Sequence, residues 1–483
     1  MSESKMPETF KHPNVEIAVK NFGPIAEATI NLCPLTVFVG PSNTGKTYFS
    51  TLIYALHGIF NGFSRLPDRS RQIGDFDFHS LLHRDNTDRQ AILKKFNTLD
   101  RSFKFADLPQ ATRVMLQSEI QDIESLKAEL KRCFDLNSIR ELIRLKDGQR
   151  GEMNIALKVS EEIQSLWHFN LDASESYLTT RGAFNKNLVL CPKELLESKE
   201  KFYLDDLYSL SFSKKLNKYT GDRAYLPAAR SGIMQSHRVI ASSLVKHATR
   251  GGLTPLEIPT FSGIVADFMQ RLILYEEFDG LYKEINKEIF CLAETIESNV
   301  LAGQILMKPS ASGYPEFLCC PKDIGEEVRL TRAASMVSEL APVVLFLRGG
   351  IRPGDMLIIE EPEAHLHPGA QTEIALTLAG LVRAGVRVVV TTHSDWLLKE
   401  IANLIRIGEL KRKGVPETKK ISSTQWLLPE EVGTWWFQKD GSVKQIPFDR
   451  TEGVEPKDYE DVAYELYDRS VNLQDLLEEV DRR

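Results

Sequence analysis

The chain has 483 residues, of which 42% are hydrophobic and 26% charged, a globular composition that excludes a largely disordered protein. Its net charge is −7, and the stretch from Thr451 to Arg483 holds eleven acidic residues against four basic ones, so the rest of the chain is balanced. That excludes the strong basic excess of a protein that mainly coats nucleic acid; DNA is not indicated by charge, although a local basic face stays open.

No apolar run reaches the ~18 residues of a membrane span, and the polar N-terminus carries no apolar export segment. The six cysteines (Cys33, Cys133, Cys191, Cys291, Cys319, Cys320) show no C-x-x-C spacing. They read as reduced core thiols of a soluble cytoplasmic protein with no membrane contact.

In chain order, Val15–Lys20 and Ala26–Leu32 read as short strands joined by a turn at Asn21-Phe22-Gly23-Pro24. Leu35-Thr36-Val37-Phe38-Val39 is a buried-type strand running into Gly40, and Thr47 to Phe60 has the periodicity of a helix. From about Gly62 to Tyr219 the pattern predicts mostly charged helix, as at Gln117–Phe134 and Ser138–Leu145. A strand returns at Arg223–Pro227, followed by a helical stretch from Phe261 to about Val300 and hairpin-like strands near Gly303–Lys308 and Glu316–Leu330. Helix over 335–348, strand over Met356–Ile359, helix over Thr372–Ala384 and strand over Val386–Thr391 then alternate, which suggests an open α/β sheet. Val462, Leu466, Leu473, Leu477 and Val480 recur at helical spacing in the acidic tail, which either docks on its own domain or serves as a handle for a partner.

Three segments carry chemistry. Gly40-Pro41-Ser42-Asn43-Thr44-Gly45-Lys46-Thr47 matches G-x-x-x-x-G-K-[ST] throughout and lies between a strand and a helix. Small residues let successive backbone N–H groups converge on a triphosphate, the helix N-terminus adds positive potential, and Lys46 reaches the β- and γ-phosphates. Thr47 offers its hydroxyl to Mg²⁺. ATP and Mg²⁺ are thus the expected ligands, with Gly40, Asn43, Thr44, Gly45, Lys46 and Thr47 binding them.

The strand Met356–Ile359 delivers Glu360-Glu361-Pro362-Glu363 at its C-terminal end, where ligands sit in open α/β sheets. One carboxylate there can hold the magnesium shell while the next acts on the attacking water. Val388-Val389-Val390-Thr391-Thr392 likewise delivers His393, 32 residues after Glu361, which is room for one helix and one strand. It can therefore reach a position beside the γ-phosphate. His365-x-His367 lacks a ligand cluster with a closing spacing and reads as interface or structure rather than as a metal site. Cys319-Cys320 point to opposite faces of a strand and read as packing.

With these residues in hand, the phosphate loop, the run EEPEAHLHP and TTHS, and the opening VKNFGPIAEATINLCPLTVFVGPSNTGKT resemble ABC-type ATPase heads of the SMC, RecF and OLD (overcoming lysogenisation defect) kind. The resemblance covers about residues 14–62 and 220–425. It implies an α/β P-loop ABC-type ATPase head, a mixed sheet with flanking helices, carrying a large mainly α-helical insertion. The organisation expected is then 1–62 and 220–425 as the two parts of the head, 63–219 as the insertion, and 426–483 as a small β-hairpin with an acidic helical tail.

The resemblance also implies two heads that sandwich two ATP molecules. Glu361 would be the general base, with Glu360 and Glu363 next in line, and His393 the γ-phosphate sensor. Glu360 stands where an aspartate is usual and would join Thr47 at the metal. By order along the chain, Arg332–Leu340 takes the place of the signature segment, with Ser335 and Ser338 donating to a partner's γ-phosphate; Met336 and Val337 replace the usual glycines. Ser335 as an ordinary helix cap is the alternative. Gln235 takes the place of the glutamine loop, and Asn21 that of a turn near the nucleotide base, an ordinary turn asparagine being the other reading.

The resemblance to OLD-type proteins and to the ATPase subunits of the PARIS and Gabija anti-phage systems implies a motor or sensor subunit of a prokaryotic defence or toxin-type complex. It would be a homo-oligomer through ATP, controlling a separate effector such as a nuclease or toxin. OLD proteins append a Toprim nuclease with a D-x-D motif, and the 90 residues after His393 contain none. A DNA repair or chromosome-maintenance ATPase of the SMC or RecF kind is the alternative, weakened by the missing heptad arms and the charge balance. A transporter engine is disfavoured by the atypical signature, the insert and the acidic tail. A purely structural ATP clamp would show no turnover.

Overall fold

The computed structural model describes residues 12–59, 94, 103–110, 113–114, 123–146, 149–150, 152–159, 163–170, 177–184, 189–191, 221–236, 261–275, 286–309, 315–415, 425–454 and 457–481. Three strands open the chain, β1 (Val15–Phe22), β2 (Ile25–Leu32) and β3 (Leu35–Val39), the last leading through Gly40 into α1 (Lys46–Ile59). Next come α2 (Ile123–Phe134), β4 (Met153–Val159), β5 (Ile163–Asn170) and β6 (Tyr177–Phe184). They are followed by β7 (Arg223–Leu226), α3 (Gly263–Ile273), α4 (Lys287–Asn299) and a hairpin of β8 (Gly303–Pro309) with β9 (Pro315–Pro321). The alternation continues with α5 (Ser335–Leu345), β10 (Met356–Glu360), α6 (Pro368–Arg383), β11 (Arg387–Thr392) and α7 (Asp395–Arg412). β12 (Val432–Phe437), β13 (Val443–Ile446) and α8 (Lys457–Asp481) end it.

Among the described residues, the central sheet has the order β7-β10-β11-β3-β12-β13 and is parallel except for the last pair. Its register aligns the strand ends: Glu360 lies opposite Thr391, and Thr392 opposite Val39. The residues that follow these strands, Gly40, Glu361 and His393, are thereby delivered to one edge. The apolar runs are uninterrupted because both faces are covered. Phe38, Met356, Ile358 and Val389 enter one core layer, while Val37, Val39, Leu357, Ile359, Val388 and Val390 enter the other.

The first layer joins the central sheet to α1, α2 and an antiparallel sheet of order β2-β1-β4-β5-β6. The second holds α4, α5, α6 and α7. The helix starts follow local capping chemistry. His367 accepts from Gly369 N–H ahead of Pro368 in α6, and Ser394 accepts from Leu397 N–H with Asp395 in the first turn of α7. The expected fold class, a mixed α/β P-loop ATPase head, is the one the chain adopts.

Several local expectations change. In the stretch 63–219, helix holds for α2, with residues 117–122 outside those described. Downstream, β4, β5 and β6 extend the antiparallel sheet started by β1 and β2. The reason is visible in MNIALKV, whose buried and half-buried positions alternate strictly, a period of two and not of 3.6. Ser138–Leu145, expected as helix, is a short 3-10 turn over Ile139–Leu142 held by a capping box of Ser138 and Glu141. The hairpin after residue 425 continues the central sheet, since β12 pairs parallel with β3.

Of the cysteines with described side chains, Cys133 and Cys319 are buried, Cys33 and Cys320 partly so, and Cys291 is exposed, which corrects a uniform core reading. In α8, Leu466, Tyr467, Leu473, Leu476 and Leu477 are 53–67% exposed, so these side chains do not dock on their own domain. The side chains of Val462 and Val480 lie outside those described. Among the described residues, no helix is long and apolar enough to cross a membrane.

Candidate active site

After β3 the backbone turns through Gly40 (φ +135°), Asn43 (φ +64°) and Gly45 (φ +104°) before α1 begins at Lys46. The two glycines are required sterically as well as conformationally. A Cβ at Gly40 would stand 2.2 Å from the carbonyl oxygen of Phe437, and one at Gly45 2.6 Å from Cγ1 of Ile25. Thr44 Oγ1 closes the loop by donating to Pro41 O at 2.8 Å. Lys46 Nζ, buried, donates to the carbonyls of Gly40 and Pro41 at 2.7 Å each.

Burial lowers the Lys46 pKa to about 8, against the opposing pull of Glu361, Glu363 and Glu360. The first turn of α1 holds no acidic residue, and its leading N–H groups lack intrahelical acceptors, so this end presents positive potential. Loop conformation, helix end and ammonium together fit a polyphosphate.

Glu360 closes β10 and is buried. Its Oε1 accepts from the Tyr225 hydroxyl at 2.8 Å and its Oε2 from Ala228 N–H at 3.0 Å. Tyr225 also shares a 2.8 Å hydrogen bond with Ser50 of α1, which ties the helix behind the loop to the acidic strand. Burial, and then Glu360, push the Tyr225 phenol well above its ordinary value, so it stays protonated and donates. Each Glu360 oxygen keeps a further lone pair for a water of a magnesium shell. Mg²⁺ habitually takes one or two protein ligands and fills the rest with water and phosphate oxygens, so Glu360 with the exposed Thr47 fits it. Among the described residues no group of three or more His, Cys, Asp or Glu forms a metal cage; His365 is exposed and His367 caps α6.

Glu361 leaves the strand with φ +43°, its N–H donating to Thr391 O at 2.9 Å. Its side chain is 44% exposed, and its Oε1 lies 3.8 Å from Nε2 of His393. Burial and the nearby Lys46 charge lower the His393 pKa, with Glu361 opposing. The imidazole is therefore neutral at pH 7 and can donate or accept one hydrogen bond. A half-exposed carboxylate beside a neutral imidazole is a group that can take a proton from water.

Glu363, in line as an alternative base, is instead buried and turned onto the histidine strand. Its Oε1 accepts from the Thr392 hydroxyl at 2.6 Å and from His393 N–H at 2.7 Å, which fixes where His393 leaves the sheet. Burial raises its pKa.

The other expected residues divide. Ser335 is exposed at the first position of α5, and the cap is Ala334, so it is not an ordinary N-cap. Ser338 is buried, accepts from Gln235 Nε2 at 3.2 Å and donates to Leu330 O at 3.1 Å. In this chain its hydroxyl is engaged inward, by Leu330 and Gln235. Gln235 is brought to Ser338. Asn21 (φ +55°) donates to Glu152 O at 2.9 Å and accepts from Arg144 N–H, as a turn residue does.

Tyr225 and Arg230 were not expected as site residues, and Glu363 was expected only as an alternative base, not as the group that holds His393 N–H. Tyr225 lies within β7 and Arg230 follows that strand in the run RAYLPAAR, where a basic residue just past a buried strand was the available signal.

A family model described as AAA ATPase domain matches residues 15–230 and 257–398, well over half of the chain. No curated protein matches the sequence. Among solved structures, the chain is similar to an Smc head bound to the C-winged helix domain of ScpA, at 10% identity over 90% of this chain and 97% of that one, with a TM-score of 0.40. It is similar to an SMC head domain from Thermotoga maritima at 11% identity over 91% and 100%, with a TM-score of 0.36. An Smc head with an extended coiled coil, bound to the C-terminal domain of ScpA derived from Pyrococcus furiosus, matches at 10% identity over 94% and 100%, with a TM-score of 0.38.

Proposed function

The chain belongs to the AAA ATPase domain family, and from that premise we propose that it binds and hydrolyses ATP with Mg²⁺, closing as a dimer across the nucleotide. The observation that carries this reading is the meeting of three groups at one edge of the parallel sheet: buried Lys46 after β3, half-exposed Glu361 after β10 and neutral His393 after β11. Lys46 and the loop amides hold the phosphates, Glu361 takes the proton of the attacking water, and His393 orients it. Thr47 and Glu360 would hold magnesium, which would supply neutralisation of the phosphate charge.

The dimer rests on Ser335, the hydroxyl of the signature-like helix that faces out. In this reading the chain is the motor or sensor of a prokaryotic defence or toxin-type complex and acts on a separate effector. The exposed apolar residues of α8 support a partner of that kind.

The test is Glu361→Gln under saturating ATP–Mg²⁺. Turnover is expected to fall roughly 10²–10⁴-fold, the usual worth of a positioned general base, with binding retained. Light scattering then reads a dimer trapped closed. Unchanged hydrolysis would move the base elsewhere, and a monomer would overturn the sandwich.

A further inference from the structure

The side chain of Arg230 is fully buried, in the turn that follows β7, and no step above uses it. Its Nη1 donates to the carbonyl oxygens of Glu360 at 2.7 Å and Pro227 at 3.3 Å. Its Nη2 donates to Glu361 O at 3.1 Å, and its Nε to Glu339 O at 3.1 Å. Nη2 also lies 3.2 Å from Oε2 of Glu339 as an ion pair, while the Glu339 Oε1 takes the Ser231 hydroxyl.

One planar fork therefore grips two successive carbonyls at the end of β10 and the middle of α5 together. A buried arginine that needed only charge compensation has it in Glu339. The remaining donors are aimed at the backbone where Glu361 takes φ +43°, a conformation that L side chains rarely adopt and that the surroundings must hold. A lysine has no such fork.

We propose that Arg230 is a positioning residue for the hydrolytic step. It holds the Glu360–Glu361 peptide so that the Glu361 carboxylate faces the phosphate loop, and through Glu339 it ties that peptide to α5, whose first turn carries the exposed Ser335. A second copy closing on Ser335 thus acts on a helix rigidly joined to the general base. The proposal rests on the ATPase reading above.

Two variants test it. Arg230→Lys keeps the charge Glu339 needs but cannot serve both carbonyls. Arg230→Met combined with Glu339→Met removes the ion pair as a unit, so no lone charge is left buried. None of the Arg230 partners belongs to the phosphate loop, so ATP affinity and KM are expected to stay at wild-type values. Turnover falls by roughly 10²-fold, the scale of a small misplacement of a reacting group.

Glu339→Gln, isosteric and still an acceptor for Ser231, gives the same pattern with a smaller drop. Wild-type kcat in a folded variant of Arg230 overturns the clamp. So does a loss of ATP affinity equal to the loss of kcat, which is what general weakening of the fold produces. The wild-type chain is measured first: if it binds ATP without turning it over, the ATPase reading fails, and the clamp fails with it for that separate reason.

Discussion

The two main sheets of this molecule place their polar residues differently. In the central sheet β3 and β10 are buried at all five positions and β11 at all six, so no face is left to carry chemistry. Polar groups emerge only where the strands end, and parallel pairing collects those ends at one edge. The antiparallel sheet alternates buried and half-buried positions along β1 and β4. Its link to the site is mechanical: Ile25 packs beneath Gly45, and the ring of Tyr48 fills the space a side chain at Gly23 would need. One sheet therefore presents the candidate site residues at its ends, and the other supplies support from its face.

That division can be broken from either side. Lys46→Ala should abolish ATP binding, because the loop loses its ammonium while keeping its amides; no comparable loss of stability is expected, since a desolvated charge is removed with it. Titration calorimetry and a thermal melt of the same sample read both halves of the statement, and retained affinity would sink the assignment of this loop. In the other sheet, Ile155 of β4 is fully buried and stands in register with Val19 of β1 and position 167 of β5. Ile155→Ala should cost about 2–5 kcal/mol of stability by leaving a cavity, with ATP turnover per folded molecule unchanged. Turnover that falls in the folded fraction would show that the supporting sheet also tunes the chemistry.

The same contrast explains what could be read from the sequence. Buried parallel strands announce themselves as unbroken apolar runs, and whatever follows them lies at one edge, so the common placement of Gly40, Glu361 and His393 was legible. The antiparallel strands in 63–219 were not: in β4, Asn154 and Lys158 interrupt the apolar residues, and only the period of two tells this run from a helix. The burial of Ser338 was not legible, because helical spacing does not say which turn faces the core, and its contacts include Gln235, distant in sequence. Glu363 and Arg230 were hidden for a related reason. Their roles lie in holding Thr392, His393 and the Glu360–Glu361 backbone, contacts that exist only once the sheet order is known.

The smallest effect comes from Lys46 itself and separates electrostatics from loop shape. In the free chain burial puts its pKa at about 8. Phosphate bound beside it favours the charged form and raises that value. Above pH 8 the free protein has lost a proton that the complex must regain, so ATP affinity should fall with rising pH, by up to about tenfold per unit. Below pH 8 this contribution is flat, and phosphate monoesters titrate lower, at about pH 6. Stability of the free chain moves the other way. The folded pKa lies below the ordinary lysine value of 10.5, so between these two values the unfolded chain binds more protons, and stability should rise with pH by up to about 1.4 kcal/mol per unit from this group. Lys46→Arg stays charged throughout and should lose both slopes. Calorimetric titrations from pH 7 to about pH 10, beside melts without nucleotide, compare the two trends; an affinity independent of pH over that range would mean that the loop amides alone, and not the ammonium, hold the phosphates.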